Sequence, residues 1–331
     1  MSLFQRVDIG VDLGTSKYNI FVRGQGLVAQ EASLLAYSGP VLKPSSVVAI
    51  GEAARDYESS RESITVMSPM RDGVIVNRMA AEILIQRMAL NAGLGFSLKK
   101  PSTLVTSLLG ATGLERKTFL EVAQSIRSSR SLLRDEPLAA ANALPVDLSE
   151  PFAHLVLDIG AGASEALVLN AGRMVMGRSL RIGGDAINKS LVEYARRQHR
   201  LILPLGQARS LKEALSEPLA ETDIVLRGMD PLTHLPKRIR CGSDELKAVI
   251  DNALDPIVEM IKDLLLELSP GTFVELIENG IYICGGASKT VGLKQKLESV
   301  TGLRVLRMND PEDAVIRGCG QLLNYVRYLG Y

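Results

Sequence analysis

Two short runs decide what this chain can fold into. VDLGTS (Val11–Ser16) and LDIGAGAS (Leu157–Ser164) can be laid over each other. Each is an apolar strand ending in Asp, then Gly, then small or hydroxyl residues. Val7 to Leu13 reads as a strand, Gly14-Thr15-Ser16 as a turn and Tyr18 to Val22 as a returning strand, which makes a β-hairpin. The arrangement recurs at Leu155 to Ile159, Gly160-Ala161-Gly162-Ala163-Ser164 and Ala166 to Leu169. One such hairpin is weak evidence; two predict a duplicated lobe.

The chemistry follows from the residue types. An Asp at a strand end can hold a metal-bound water, and Gly lets phosphate oxygens approach the backbone. Turn N–H groups and hydroxyls together form an anion nest. Either turn alone is also what an ordinary Asp-initiated hairpin looks like. Facing each other across a cleft, the pair could clamp one triphosphate and its Mg²⁺.

Between them lies Asp135-Glu136-Pro137-Leu138 and three alanines. Pro137 suits a first helical turn. Glu136, at the helix start, either orients a water for attack on a terminal phosphate or complements the helix dipole. Gly183-Gly184-Asp185 opens a predicted helix, and Gly285-Gly286-Ala287 follows a strand-like run. Both permit close approach to a ribose, phosphate or base, and both also fit plain tight turns. Lys212 and Glu213 sit in an amphipathic stretch that could serve an adenosine.

Helical periodicity fills the intervals. The expected helices are Gly113 to Arg127, Asp185 to Arg197 with Asp185 as N-cap, Asp244 to Leu268 and Gly292 to Val300, with Pro256 expected to kink or split the third. A strand is expected at Ser46 to Ile50, and less regular chain near 36–46, 91–102 and 227–243. Strands alternating with helices indicate an α/β protein with mixed sheets.

Composition narrows the function classes. Lys plus Arg is 38 against 37 for Asp plus Glu, so there is no electrostatic case for nucleic acid. Three dispersed cysteines and three histidines offer neither a disulfide framework nor zinc spacing, which fits a reducing cytosol. No apolar run approaches the ~18 residues of a membrane span, and MSLFQRVDIGVDLG has no secretory core. Gly93-Leu94-Gly95-Phe96, with Lys99 and Lys100 nearby, pairs apolar insertion with attraction to anionic lipid. Leu94 and Phe96, with Leu3 and Phe4 as a second small anchor, are the candidate membrane contacts; packing into the first lobe is the alternative.

The ordered set of blocks resembles the actin-like ATPase superfamily, in particular the MreB type of bacterial actin. DIGVDLGTSKYNIFVRGQG, SPMRDGVIVN, GATGLERKTFLEVAQ, DEPLAAANALPV, LDIGAGASEALVL, RIGGDAINKSLVEYARR, ICGGASKTVGL and DPEDAVIRGCGQLL match its blocks in order, over nearly the whole chain. The resemblance implies an α/β fold of two lobes, each a ribonuclease-H-like core with a small subdomain, around a nucleotide cleft. It implies subdomain IA from 1–31, 77–142 and 310–331, IB from 32–76, IIA from 143–185 and 242–309, and IIB from 186–241. It implies Mg²⁺-ATP held by Asp12, Gly14, Thr15, Ser16, Asp158, Gly160, Ala161, Gly162 and Ala163. Asp12 and Asp158 would hold the metal through water, and Glu136 would orient the hydrolytic water. Gly183, Gly184, Lys212, Glu213, Gly285, Gly286 and Ala287 would line phosphates, ribose or base.

The family implies head-to-tail protofilaments, often paired antiparallel, at the inner membrane face of the cytoplasm, where they organise wall synthesis and cell shape. The chain departs from the family in several places. Ala163 and Ser164 replace two threonines, and Ala161 a glycine. Lys17 and Tyr18 replace Asn-Thr, Leu108 a proline and Asn77 an acid. These departures keep open a filament scaffold with little hydrolysis, or a divergent paralogue. A small-molecule kinase of the same fold is the alternative enzyme.

Overall fold

The computed structural model describes residues 7–58, 63–94, 101–216 and 223–325. Val7–Leu13 (β1), Lys17–Val22 (β2) and Gly26–Ala32 (β3) form an antiparallel meander. Leu35–Ser38 (β4), Val47–Ile50 (β5) and Ile64–Met67 (β6) form a separate small sheet. The short hairpin Met70–Arg71 (β7) and Val74–Ile75 (β8) leads into helix Arg78–Asn91 (α1). Asn77 caps that helix by accepting from Ala80 N at 2.9 Å. Strand Ser102–Ser107 (β9), helix Gly113–Gln124 (α2), strand Arg130–Asp135 (β10) and the short helix Glu136–Ala141 (α3) complete the first lobe's chain. β9 joins β1 in parallel and β10 joins β9, so the first large sheet runs β10-β9-β1-β2-β3.

The second half repeats this plan. Ala153–Ile159 (β11), Ser164–Asn170 (β12) and Arg173–Leu180 (β13) form the meander. Helices Gly184–His199 (α4) and Leu205–Leu215 (α5) follow, then the ribbon Asp223–Met229 (β14) and Pro236–Gly242 (β15). Next come helices Ser243–Leu266 (α6) and Pro270–Asn279 (α7), strand Ile281–Cys284 (β16), helix Leu293–Thr301 (α8) and strand Val305–Arg307 (β17). β16 and β17 add in parallel beyond β11, giving β13-β12-β11-β16-β17. The two sheets therefore have the same order and the same strand directions. Asp12 and Asp158 are each the penultimate residue of the central strand.

Helix Ala314–Tyr325 (α9) returns to the first lobe and lies against β1 and β2. With α3 it forms the layer between the lobes. Ala139, Ala140 and Ala141 of α3 and Ile316 and Cys319 of α9 share one apolar cluster with Leu104 from the first sheet and Val156 and Leu167 from the second. Small residues make the approach possible. A Cβ on Gly318 would fall inside contact distance of the Ala139 carbonyl.

Several expectations are corrected. α4 is capped by Gly183, with Asp185 in its first turn, so the charge complements the dipole instead of capping. The expected helix 113–127 ends at Gln124, 185–197 runs 184–199, and 292–300 runs 293–301. Pro256 lies inside one uninterrupted helix. Pro256 and Asn252 both face solvent, so the carbonyl that loses its partner is hydrated, while Leu254, Ile257, Val258 and Ile261 keep the helix on the core. Residues 44–46 form a 3₁₀ turn ahead of β5. The stretch 227–243 is mostly ribbon; its exposed Arg238 and Arg240, with the half-buried Lys237, dilute the apolar alternation that marks a strand.

Gly318→Ala should lower stability by about 1–3 kcal/mol through overpacking at the α3–α9 crossing. Gly206→Ala, in open space on α5, should be neutral or stabilising. Chemical denaturation of both variants checks this; equal effects would contradict the tight crossing.

Candidate functional site

The two turns after β1 and β11 are built alike. Gly14 N donates to Lys17 O at 3.0 Å, and Gly160 N donates to Ala163 O at 2.9 Å. They face each other. A Cβ on Gly162 would lie 2.6 Å from Gly73 N and would also strike Thr15 Oγ1. Thr15 Oγ1 in turn accepts from Gly73 N at 2.9 Å, tying the first turn to the β7–β8 hairpin. Only glycine at position 162 lets the lobes meet this closely.

A cleft of about 590 Å³ opens between the turns. It brings together Asp12, Gly14, Thr15, Ser16, Glu136, Asp158, Gly160, Ala161, Gly162 and Ala163 from the sequence expectation. Gly184, Lys212, Glu213, Gly285, Gly286 and Ala287 line it too. Gly183 is not on the lining. It supports the second turn from behind, where a Cβ would lie 2.5 Å from Gly160 O. Gly184 N and Asp185 N donate to Gly160 O and Ala161 O at 3.0 and 2.8 Å, so the start of α4 holds that turn in shape. Lys212 Nζ donates to Gly184 O at 3.2 Å, and burial lowers its pKa.

The pseudo-symmetry is broken where charge matters. Asp12 faces Asn19 across β1 and β2; Asp158 faces Glu165 across β11 and β12. Asn19 donates to Asp12 Oδ2 at 2.9 Å, and Thr106 donates to Asp12 Oδ1 at 3.1 Å. Burial still raises the Asp12 pKa, opposed by these donors and by Lys17. Among the described residues Asp158 has only the weaker thiol of Cys284; burial and then Asp12 push its pKa up to about 7. Glu136 is pushed well above the carboxylate range by burial, then by Glu165, Asp12 and Asp158.

Glu165, which the sequence reading missed, is 1% exposed. Its Oε1 accepts from Leu109 N at 2.8 Å in the first lobe and from Ser179 Oγ at 2.6 Å in the second, while Oε2 has no partner among the described residues. Burial is the main reason its pKa rises to about 8. Its period-2 placement opposite Asp158 was the available signal.

These residues suit a divalent cation and a polyphosphate. Crowded, desolvated carboxylates need a positive charge among them, and the glycine turns leave room for oxygens against backbone. Two departures also find their reason here. Ala163 packs with Val74 and Leu108 in an apolar cluster, and Ser164 Oγ donates to Ile182 O at 2.7 Å. Neither position offers a hydroxyl to the cleft.

Of the proposed membrane contacts, Leu94 is half-buried against the first lobe's core. Leu3, Phe4 and Phe96 lie outside the described residues. No helix among the described residues is long and apolar enough to cross a membrane.

The folded nucleotide-free chain holds protons on Asp158 and Glu165 that unfolded carboxylates, with pKa about 4, release. Its stability should therefore fall as pH rises from about 4 towards 8. Asp158→Asn should raise the melting temperature more at pH 8 than at pH 6; equal shifts would contradict the buried charge.

The sequence matches the family described as MreB/Mbl protein over residues 6–330. The cell shape-determining protein MreB of Escherichia coli K12 is 30% identical over 325 residues, 96% of this chain and 94% of that protein. The crystal structure of MreB 5 of Spiroplasma citri bound to AMPPNP superposes with a TM-score of 0.89 at 26% identity, covering 96% of both chains. The MamK double helical filament, at 21% identity and TM-score 0.78, covers 97% of this chain and 99% of that one and shares the fold. The expected actin-like fold is the one observed.

Proposed function

The chain belongs to the MreB/Mbl family, and from that premise we propose that it is a polymerising cytoskeletal protein whose assembly is controlled by ATP. The observation that carries the reading is the meeting of two glycine turns from equivalent sheets over a floor of buried carboxylates. The AMPPNP bound by the Spiroplasma relative supports it. The four-subdomain division drawn from the sequence is part of the same proposal.

The turn amides of Thr15 and Ser16 and of Ala161, Gly162 and Ala163 bind the phosphates, Gly14 and Gly160 close the two turns around them, and Lys212 and Glu213 with Gly285–Ala287 receive the nucleoside. Asp12 and Asp158 hold Mg²⁺ through water. When bound, the metal supplies charge neutralisation for the phosphates. Glu136 orients the attacking water and accepts its proton. Closure around nucleotide favours the polymer, and loss of phosphate weakens it. The protofilaments run head to tail and pair antiparallel. They lie in the cytoplasm, peripheral at the inner membrane face, and serve cell shape with wall-synthesis partners. Since Leu94 is half-buried, the membrane contact rests mainly on Leu3, Phe4 and Phe96, and repeated anchors along a filament supply avidity.

A second reading, a nucleotide-binding scaffold with little hydrolysis, is favoured by one observation. Ala163 lines the cleft and packs with Val74 and Leu108, so this position of the second turn offers no hydroxyl to help orient a water.

Sedimentation with ATP, AMPPNP, ADP and no nucleotide, with phosphate measured in the same tubes, tests both. The filament reading expects pelleting with ATP and AMPPNP above ADP; no nucleotide dependence would overturn it. Phosphate release should fall at least about 100-fold in Glu136→Ala while ATP still binds. Equal turnover in the two proteins would refute that role, and negligible release by the unaltered chain would select the scaffold.

A further inference from the structure

The first turn carries a lysine where its counterpart carries an alanine. Lys17 and Ala163 accept the same turn hydrogen bond in the two lobes. Lys17 lines the cleft, yet its ammonium is paired elsewhere: Nζ lies 2.6 Å from Asp313 Oδ1, and both side chains are 26% exposed.

Asp313 ends the turn Pro311–Asp313, where the chain returns from β17 in the second lobe to α9 on the first. Pro311 O in that turn accepts from Gly285 N, which lines the opposite side of the cleft, at 2.7 Å. Gln30 donates to Asp313 Oδ1 at 3.0 Å and to Asn19 Oδ1 at 2.8 Å, and Asn19 donates to Asp12. The register explains this chain of contacts. Asp12, Asn19 and Gln30 stand opposite one another across β1, β2 and β3. Lys17, two residues before Asn19, projects from the same face. One polar chain thus links the carboxylate floor, the first phosphate turn and a crossover between the lobes.

A half-exposed ion pair of this kind is weak. An ammonium on a flexible stem has three donors, and phosphate oxygens seated in its own turn are a strong, charge-assisted alternative. Gln30 keeps hold of Asp313 if the lysine leaves, so the exchange strands no carboxylate.

We infer that Lys17 is a switch residue: its ammonium leaves Asp313 for a phosphate oxygen of the bound nucleotide, which removes the charged one of the two side-chain ties, Lys17 and Gln30, that hold the crossover to the first lobe. The inference rests on the nucleotide reading given above. Lys17 touches the ligand, and Asp313 acts through Lys17 as a positioning residue.

The test is a double-mutant cycle read by calorimetric titration of the full chain with Mg²⁺-ADP at concentrations below assembly. Lys17→Met should weaken ADP binding about tenfold, the worth of one charge-assisted contact. Asp313→Asn should tighten it about threefold by removing the competitor, and should have no effect in the Lys17→Met background. Equal tightening in both backgrounds would mean that Asp313 acts through its field alone, and the exchange would be wrong. Unchanged binding by Lys17→Met would also overturn it. Lys17→Gln, which keeps a donor without the charge, gives the same sign and serves if the Met variant does not fold. If the unaltered chain binds neither ADP nor ATP, the nucleotide reading itself fails; normal binding without coupling overturns the switch alone.

Discussion

Three carboxylates, Asp12, Glu136 and Asp158, line one cleft with Glu165 buried beside Asp158, and the electrostatics of that group governs what the rest of the fold must supply. Burial raises the pKa of all four, and neighbouring carboxylates of the group add to the rise at Glu136, Asp158 and Glu165. A fold optimised for stability alone would replace them with apolar groups. Their retention makes sense if a cation and a polyanion occupy the site for part of the protein's working cycle. The two sheets, related strand for strand, provide two rigid central strands whose ends deliver the aspartates. Glycine turns then let the lobes touch at Gly162 and Thr15 without filling the space the ligand needs.

The duplication is exact in topology and unequal in chemistry. The first lobe surrounds its aspartate with donors, Asn19 and Thr106, while the second places Glu165 and a thiol beside its own. Asp158 therefore carries the larger electrostatic burden of the pair. The lobes are joined by an apolar layer on α3 and α9, in which the α3 alanines and Gly318 allow close approach, and by a polar chain through Gln30 and Asp313. A charged contact that a ligand can displace, as inferred for Lys17, would couple this junction to occupancy.

Much of this was legible in the sequence because the paired Asp-Gly runs combine local turn chemistry with strand patterning. Both hairpins, the helix at Glu136 and the glycine pairs fall where those signals put them. What escaped depended on contacts between distant segments. Glu165 reads as an ordinary strand residue until β11 is set beside β12. Gly183 looks like a ligand-facing glycine, and only the packed structure shows it behind the turn. Pro256 is a helix breaker by local rule, yet a long buried stripe keeps α6 whole. The β14–β15 ribbon buries too little of itself to leave an apolar alternation. The Lys17–Asp313 pair joins residues from opposite ends of the chain, beyond any local pattern.

The most direct measurement of the central claim is amide hydrogen exchange at single-residue resolution, with the monomeric protein titrated with Mg²⁺-ATP. One polyphosphate gripped from both lobes should protect the amides of Thr15 and Ser16 and of Ala161, Gly162 and Ala163 together, with the same dependence on nucleotide concentration. Protection of one turn without the other, or of neither while nucleotide binds, would contradict a shared site.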